Sequence, residues 1–423
     1  MQGAKSFEIS KQLVWEAFQR VKANKGSAGI DGVSLLEFEK NLKDNLYKIW
    51  NRLSSGSYMP PPVKLVEIPK AGGKTRPLGI PTVSDRIAQM AVVLQIEPLI
   101  EPHFHVDSYG YRKGKSAHDA LAAAKQRCRE HRWVVDLDVS QFFDTIDHEL
   151  LLKALQKHTT NPWVLLYVRR WLVVPYECSD GAQIARDKGV PQGSVIGPLL
   201  ANLFLHYAFD EWMKRTHPDV PFERYADDII CHCPTIGRSE MVLSSIKQRL
   251  NACKLALNEA KTRIVYCKDS NRKFNYGVIQ FDFLGYTFRP RPVKSGKGEY
   301  FTGFNPAISS ASLKKISREI RSWDVNQWLG WSLNLKEIAE KINPTIRGWI
   351  NYYGKFYPTI LRKHFRYVDL RLASWVRAKF KRFRRHKTRS IYWLGKVARQ
   401  QPDLFAHWVW GYKPPIEQKF SIV

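Results

Sequence analysis

The sequence predicts an α+β fold spread over more than one domain, and three observations lead there. The chain is 423 residues long, too long for one ordinary core and suited to two to four domains. Short runs of β-branched and aromatic residues, closed by Gly, Pro or Asp, alternate with longer runs whose apolar residues recur at helical spacing. Hydrophobic residues make up 44% of the chain and aromatic residues 13%, a globular composition rich in rings.

Charge narrows the class of partner. Lys and Arg number 67 against 39 Asp and Glu, a formal charge of +28, and the pI is near 9.8. Such an excess implies a polyanion, with nucleic acid leading and an anionic membrane surface second. No apolar run reaches spanning length. Residues 1–11 hold no apolar signal core, so the protein is expected in the cytosol. The six cysteines lack disulfide-framework spacing, and Cys231 and Cys233 have no second Cys or His pair at zinc distance, so they read as buried thiols.

Residues 1–60 are mostly helical. Leu13, Trp15, Phe18 and Val21 form one apolar face, Gly26, Gly29 and Gly32 break it, and Leu35 to Leu53 form another. After Pro60-Pro61-Pro62, Val63 to Pro69 reads as a strand, Lys70 to Lys74 as a turn and Thr75 to Ile80 as the return strand. The hairpin brings Lys70 and Arg76 near one another, and a basic hairpin suits a triphosphate: Arg gives bidentate contacts and Lys a point charge. A helix over Asp85 to Glu97 follows, then a basic loop, Ser108 to Lys115, in which Arg112 is a candidate phosphate contact.

Two acidic stretches carry the chemistry. In Trp133 to Val139, Val135, Leu137 and Val139 share one strand face and Asp136 and Asp138 the other. In Phe222 to Cys231, apolar residues flank Asp227 and Asp228, which places both carboxylates at the turn between two short strands. Adjacent carboxylates repel, and burial favours their neutral forms. Two at one turn make sense beneath a divalent cation, since magnesium takes hard oxygen ligands from one or two carboxylates plus substrate phosphates. Asp138 could meet Asp227 at that metal. The chemistry suggested is nucleotidyl transfer with two metal ions.

Phe142 and Phe143 follow the first acidic strand. A ring packed beside the sugar of an incoming nucleotide would reject a 2′-hydroxyl. Lys188 to Ser194 is a loop in which Gly193 allows close backbone approach and Gln192 can hydrogen-bond a ligand. Pro198 opens a long apolar helix. Lys261 is a candidate proton donor to leaving pyrophosphate. Phe281 to Phe288 alternates as an aromatic hairpin, and Arg289-Pro290-Arg291-Pro292 with Gly296 and Gly298 marks a boundary. Residues 309–360 form a small helical bundle, with Leu313, Ile316, Ile320 and Trp323 on one face and Ile338, Ile342, Ile346, Trp349 and Tyr353 on another. From Arg377 to Arg389, eight of thirteen residues are Lys or Arg and none is acidic, with Trp375, Phe380 and Phe383 interleaved. Rings and cations together suit nucleic-acid backbone and exposed bases.

Taken in order, the basic hairpin, the Asp-x-x-x-Phe-Phe strand, the Pro-Gln-Gly loop, the Tyr-Ala-Asp-Asp turn, the lysine loop and the Phe-Leu-Gly hairpin resemble the successive motifs of reverse transcriptases. Ile68-Pro69-Lys70 with Thr75 to Pro81, Pro191-Gln192-Gly193 with Pro198 to Asn202, and Arg347-Gly348-Trp349-Ile350-Asn351-Tyr352-Tyr353 resemble, more narrowly, the intron-encoded proteins of bacterial group II introns.

The resemblance implies a right-hand polymerase fold of fingers, palm with antiparallel sheet, and helical thumb, plus a basic helical C-terminal region. Residues 1–130 would be mainly fingers, 131–290 mainly palm with a helical insertion at about 148–188, 300–360 the thumb or maturase domain, and 361–423 the basic nucleic-acid-binding region. It implies that Asp138, Asp227 and Asp228 are catalytic and bind two Mg²⁺ ions, with Lys261 the acid. Lys70, Arg76, Arg112, Phe142, Phe143, Gln192 and Gly193 would bind the dNTP, with Phe143 the sugar gate. Arg377, Lys379, Lys381, Arg382, Arg384 and Arg385 would bind nucleic acid.

The implied activity is RNA-directed DNA synthesis, with binding of the parent intron RNA to assist splicing and retrohoming. The implied partners are an RNA template, a DNA primer, group II intron RNA, dNTPs and target DNA, with no membrane and a dimer among the open assembly states. The implied place is the bacterial cytoplasm, at the nucleoid. Many members carry a C-terminal endonuclease with paired Cys motifs and a His-Asn-His site. Neither motif occurs in the sequence, so target cleavage is not expected of it. Two rivals remain at this stage: a splicing cofactor with a vestigial polymerase, and a domesticated relative in DNA repair or defence.

A first prediction follows from the basic stretch. Neutralising the cations between Arg377 and Arg389 is expected to weaken nucleic-acid binding and to flatten its dependence on salt, measured as log Kd against log salt concentration.

Overall fold

In the computed structural model, residues 6–69, 75–330 and 332–416 are described. They form two compact units, residues 1–120 with 133–264, and residues 121–132 with 265–423. In chain order the strands of the first are β1 (Val63–Pro69), β2 (Thr75–Ile80), β3 (Trp133–Asp138), β4 (Tyr176–Glu177), β5 (Gln183–Ile184), β6 (Phe222–Tyr225) and β7 (Asp228–Cys233), and β8 (Arg263–Tyr266) begins at its last residues. They make two sheets, ordered β2-β1-β4-β5 and β6-β7-β3-β8.

The expected basic hairpin forms as β1 and β2, paired antiparallel with Ile68 opposite Arg76. Lys70, on the expected turn, lies outside the described residues. The segment expected as a helical insertion is helical over His148–Gln156 and Pro162–Val173. It then turns extended, and β4 joins β1 in parallel. Tyr176 and Glu177 make too short a strand for a period to show in sequence.

The helix expected over Asp85 to Glu97 runs from Val83 to Ile100, with Thr82 as its N-cap. It is buried on nearly every side, and Asp85 lies in its first turn, 1% exposed. Asp85 accepts hydrogen bonds from the Tyr58 hydroxyl (2.9 Å), the Trp171 indole (2.8 Å) and the Gln89 amide (2.9 Å). Burial pushes its pKa up to about 6, against the pull of these three donors. The other end of Gln89 accepts the backbone N–H groups of Val195 and Ile196 at 2.8 and 3.2 Å. The carboxylate thereby fixes the exit of the Pro-Gln-Gly loop, whose buried backbone donors need such partners.

In the second unit, β9 (Phe281–Phe283), β10 (Tyr286–Lys294) and β11 (Tyr300–Ile308) form a sheet ordered β11-β10-β9. The Arg289–Pro292 stretch, expected as a boundary, lies inside β10. Proline is tolerated there because, among the described residues, β9 pairs with Tyr286 to Phe288 alone, so beyond Phe288 one side of β10 has no ladder to break.

The bundle expected over 309–360 forms as helices Ser310–Ser322, Val325–Gly330 and Leu335–Tyr353. Ile316, Ile320, Ile338, Ile342 and Ile346 are buried, and Leu313, Trp323, Trp349 and Tyr353 pack against them. The basic region is not a separate tail. Helix Arg366–Lys379 and helix Lys387–Gln400 share this core, with Trp375 at 2% and Phe383 at 9% exposure and Phe380 packed on them. The rings that the sequence assigns to exposed bases are therefore core residues. Trp375 is turned inside by the 3.6-residue period it shares with Leu372 and Val376.

One helix supplies its own control. In Arg366–Lys379, Leu372 is fully buried and Leu370 is 46% exposed. Leu372→Ala is expected to cost about 2–5 kcal/mol in urea unfolding, from lost transfer energy and a cavity. Leu370→Ala is expected to stay within about 0.5 kcal/mol.

Candidate active site

The acidic turn closes a two-residue hairpin. β6 and β7 pair with Tyr225 opposite Asp228, leaving Ala226 and Asp227 as the turn. Ala226 has φ +57°, a region that few residues other than glycine adopt and that costs energy unless the surroundings enforce it. On its other side β7 pairs with β3, and Asp138 falls directly opposite Asp228. The third carboxylate is thus brought in by antiparallel register from a distant part of the chain.

Arg224 holds this turn. Its side chain is 0% exposed and forks onto Asp210, Nε to Oδ1 at 2.7 Å and Nη2 to Oδ2 at 2.6 Å. Nη1 donates to Asn202 Oδ1 at 2.9 Å and to the Ala226 carbonyl at 3.2 Å. Asp210 ends a π-helical turn, His206–Asp210, within the long apolar helical run, a local widening common near functional sites. Asn202 donates in turn to the Gly110 carbonyl at 2.7 Å. Gly110 lies flat against the turn: a Cβ there would sit 2.5 Å from Ala226 N. Only glycine permits that approach.

The residue after it, Tyr111, has φ +57° and is 57% exposed. Burial of its phenol raises the pKa, and the charge of Asp227 raises it further while Arg76 lowers it. Tyr111, Arg76 and the acidic turn therefore share one electrostatic environment. Tyr111, Arg224 and Asp210 are not singled out by the sequence, and Asn202 enters it only as the end of the Pro198 to Asn202 motif, with no role of its own. A lone Arg in a strand and an Asp after an apolar helix carry no signal until folding pairs them.

The electrostatics are those of crowded carboxylates. Asp228 keeps solvent-accessible surface yet is flanked by enough protein to lose hydration. Desolvation, then Asp227 and Asp138, push its pKa up to about 6. Asp136, two residues behind Asp138, is pushed to about 7 by burial despite an ion pair with Arg263 at 3.2 Å. Lys261 Nζ bridges both oxygens of Asp138 at 3.1 and 3.0 Å. It is placed there by a turn in which Thr262 N donates to the Asn258 carbonyl, while Asn258 N donates to the carbonyl of Asp138 (both 2.8 Å).

Among the described residues, no three Asp, Glu, His or Cys side chains gather as a ready metal cage. The donors at the turn are all carboxylate oxygens, and the charges of Asp227 and Asp138 raise the pKa of Asp228. That chemistry fits a hard divalent ion held by one or two carboxylates and completed by substrate phosphates.

The loop expected to line a nucleotide pocket docks beside the basic hairpin. The Gln192 carbonyl accepts from Gly79 N at 2.7 Å. Gly193, at φ +104°, packs so tightly on the Gly79 carbonyl that no side chain would fit. The Gln192 amide donates to Asp144 at 3.3 Å, and Val190 N donates to the Phe143 carbonyl at 2.7 Å.

The two phenylalanines separate. Phe143 is half-buried, whereas Phe142 is 2% exposed and packs on Phe204. Phe142 is thereby corrected from nucleotide contact to core. Arg112 is corrected likewise. Its Nε meets Glu101 at 2.8 Å, and Nη1 donates to the carbonyls of His105 and Ser108 at 2.7 Å, so it braces the loop that carries Gly110 and Tyr111.

In the basic region, Arg377 donates to Ser390 and Lys379 to the Leu333 carbonyl. Lys381, Arg382, Arg384 and Arg385 are exposed.

Residues 68–288 match the family described as reverse transcriptase (RNA-dependent DNA polymerase), which is more than half of the chain. The chain belongs to the reverse transcriptases. Residues 313–393 match the maturase-specific domain of group II introns. The chain is 33% identical over 421 residues to the group II intron-encoded protein LtrA of Lactococcus lactis subsp. cremoris, covering 82% of this chain and 69% of that one. It is 33% identical over 312 residues to protein YkfC of Escherichia coli, covering 64% and 78%. It is 24% identical over 332 residues to a putative COX1/OXI3 intron 1 protein of Saccharomyces cerevisiae, covering 66% and 38%. The protein is accordingly an RNA-directed DNA polymerase built of mixed helix and strand, with a maturase domain that assists splicing. Its family works on nucleic acid with divalent metal. Among the described residues no helix is long and apolar enough to cross a membrane.

Arg224→Lys keeps the charge but cannot fork onto Asp210 while also reaching Asn202 and Ala226. The expected result is a loss of about a hundredfold in kcat for primer extension, the size of effect that a misplacement near 1 Å produces, with template affinity retained. Single-turnover kinetics and template titration on the same preparation check both halves.

Proposed function

We propose that the enzyme copies its parent intron RNA into DNA by two-metal nucleotidyl transfer, with Asp138, Asp227 and Asp228 as the metal-binding carboxylates. The carrying observation is the register that sets Asp138 opposite Asp228 at the end of the sheet, with Asp227 in the adjoining turn. Magnesium held there would supply activation of the primer 3′-hydroxyl and neutralisation of charge on the departing pyrophosphate. Residues 1–130 serve mainly as fingers, 131–290 as palm and 300–360 as thumb.

The chain's own groups do the rest. Arg76, on β2, binds the triphosphate with Lys70. Gln192 is steadied by Asp144 and lines the nucleotide pocket, where Gly193 lets the loop close onto β2. Phe143 is held through its carbonyl by Val190 and stands where a 2′-hydroxyl would collide with it. Lys261 sits on Asp138, and its ammonium is the proton source for leaving pyrophosphate. The exposed cations Lys381, Arg382, Arg384 and Arg385 bind nucleic-acid backbone, target DNA included, and this supports retrohoming at the bacterial nucleoid.

Primer extension on an RNA template tests the reading. Wild type should extend with dNTPs, and Asp227→Asn should not. Phe143→Ala should raise ribonucleotide over deoxynucleotide incorporation by about tenfold or more, the discrimination that a small steric difference in a fitted pocket provides. An unchanged ratio would remove Phe143 as the gate. No extension by wild type would sink the polymerase mechanism.

A further inference from the structure

The hairpin β10–β11 lies almost wholly between the two matched segments, which end at residue 288 and resume at 313. Nine cross-strand pairs run from Tyr286↔Ile308 to Lys294↔Tyr300. Its base is core: Tyr286 and Phe288 are fully buried, Phe304 is 2% exposed, and Phe281 stacks on Phe288 with ring centroids 4.7 Å apart. Its far end is different. Tyr300 is 75% and Phe301 47% exposed, and as consecutive strand residues they stand on opposite faces of the ribbon.

One cation lies against the Tyr300 ring, others are exposed along the same ribbon, and the acidic Glu299 precedes Tyr300. Lys294 Nζ lies 5.9 Å from the centre of the Tyr300 ring, and Lys297 and Arg289 are exposed. The turn itself is well made: Ser295 N donates to the Glu299 carbonyl at 2.7 Å and Gly298 N to the Ser295 carbonyl at 3.0 Å. The rings are thus presented on an ordered support.

The outer edge of β11 is already covered beside the rings. Ser270 N donates to the Thr302 carbonyl at 2.9 Å, and Thr302 N donates to Ser270 Oγ at 2.7 Å. A partner strand adding to this edge would have to displace Ser270, which disfavours a second copy as the occupant. The cations favour a polyanion, and an aromatic ring beside a cation offers what an unpaired base takes: a stacking face and a charge for its phosphate. A closed duplex buries its base faces, so rings on opposite sides of a narrow ribbon suit a strand whose bases have left the helix.

Resting on the reading of the chain as a nucleic-acid polymerase, we infer that the tip of this hairpin is a stacking site for single-stranded RNA, with Tyr300 and Phe301 as the platforms and Lys294 and Lys297 as phosphate ligands.

The test uses the full chain and a fluorescein-labelled oligouridylate followed by anisotropy. The double variant Y300A/F301A is expected to bind it about tenfold or more weakly, the range for loss of base stacking, whereas Y300W/F301W binds as wild type does. K294Q/K297Q is expected to lower the slope of log Kd against log salt by about 0.7 for each phosphate that is no longer neutralised. Photocrosslinking of a 4-thiouridine oligomer to the wild-type chain should map to Tyr300 or Phe301 and so reports independently of any variant's folding. Extension of an oligo(dT) primer on saturating poly(rA) should keep its kcat in Y300A/F301A. Failure of the polymerase reading itself would instead appear as no extension by wild type. Wild-type oligouridylate affinity in Y300A/F301A overturns the inference, as does a crosslink confined to other segments. A change in oligomeric state by light scattering without a change in RNA affinity would reassign the tip to association between copies.

Discussion

Like charges crowded at one end of a sheet are the constraint on which the catalytic unit depends. Asp138, Asp227 and Asp228 repel one another, and the protein around them removes the water that would screen that repulsion. The result is an Asp228 pushed to about 6 and, behind it, an Asp136 pushed to about 7. Such a cluster holds its shape only if something other than the acids fixes the backbone beneath them. Arg224 supplies this from below, tied to Asp210, Asn202 and the Ala226 carbonyl. Lys261 supplies a counter-charge from above, at Asp138. A fully buried ion pair is weak evidence for stability, because desolvation of both ions offsets their attraction, but removing one partner costs about 3–5 kcal/mol. The Arg224–Asp210 pair is better understood as a geometric part, a rigid fork that enforces an alanine at positive φ.

Close backbone approach is the second device, and it uses glycine at two points. Gly110 lies against the acidic turn, and Gly193 against Gly79 on the basic hairpin. Each brings a loop side chain to where it can act: Tyr111 toward Asp227, and Gln192 toward Asp144 and the hairpin. The Asp85–Gln89 link then fixes the exit of the second loop from within the core. The site is therefore built from ordered segments whose positions are set by the buried side chains of Arg224, Asp210, Asn202, Asp85 and Gln89, which hydrogen-bond one another and the backbone of the loops.

How much of this was legible in the sequence depended on distance along the chain. β1, β2, β6 and β7 were readable because alternation and turn residues are local signals, and so were the bundle helices, whose isoleucines repeat at helical spacing. The carboxylates were readable as acids placed against apolar strands, where a solvated role makes little sense. Arg224 was not, since a single Arg in a strand reads as a surface residue, and the fold alone brings Asp210 and Asn202 to it. Phe142 and Phe143 are alike as neighbours in composition and spacing, and only the family resemblance picks Phe143 as the gate; the turn at Gln141, with φ +45°, sends Phe142 inward and leaves Phe143 half-buried. Arg112 read as a phosphate ligand because the two backbone carbonyls and the carboxylate that engage it cannot be seen from a basic loop.

The basic C-terminal region shows why aromatic and cationic residues mixed in sequence do not by themselves mark a binding surface. Trp375 falls in phase with Leu372 and Val376, so its helix turns it into the core, and Phe383 joins the same core from the short turn that follows. Lys381, Arg382, Arg384 and Arg385 point away from that core and stay in water. There the cations remain available to phosphate while the rings stabilise the helices that carry them. On the hairpin β10–β11 the period is two, and the core ends before the strands do. Phe304 and Phe288 are packed because β9 and Phe281 lie against them. Tyr300 and Phe301, at the far end of the same ribbon, have no such layer over them. The same residue types, rings beside cations, thus do opposite things in the two places. What decides between core and stacking surface is whether the element extends past the layer that covers it.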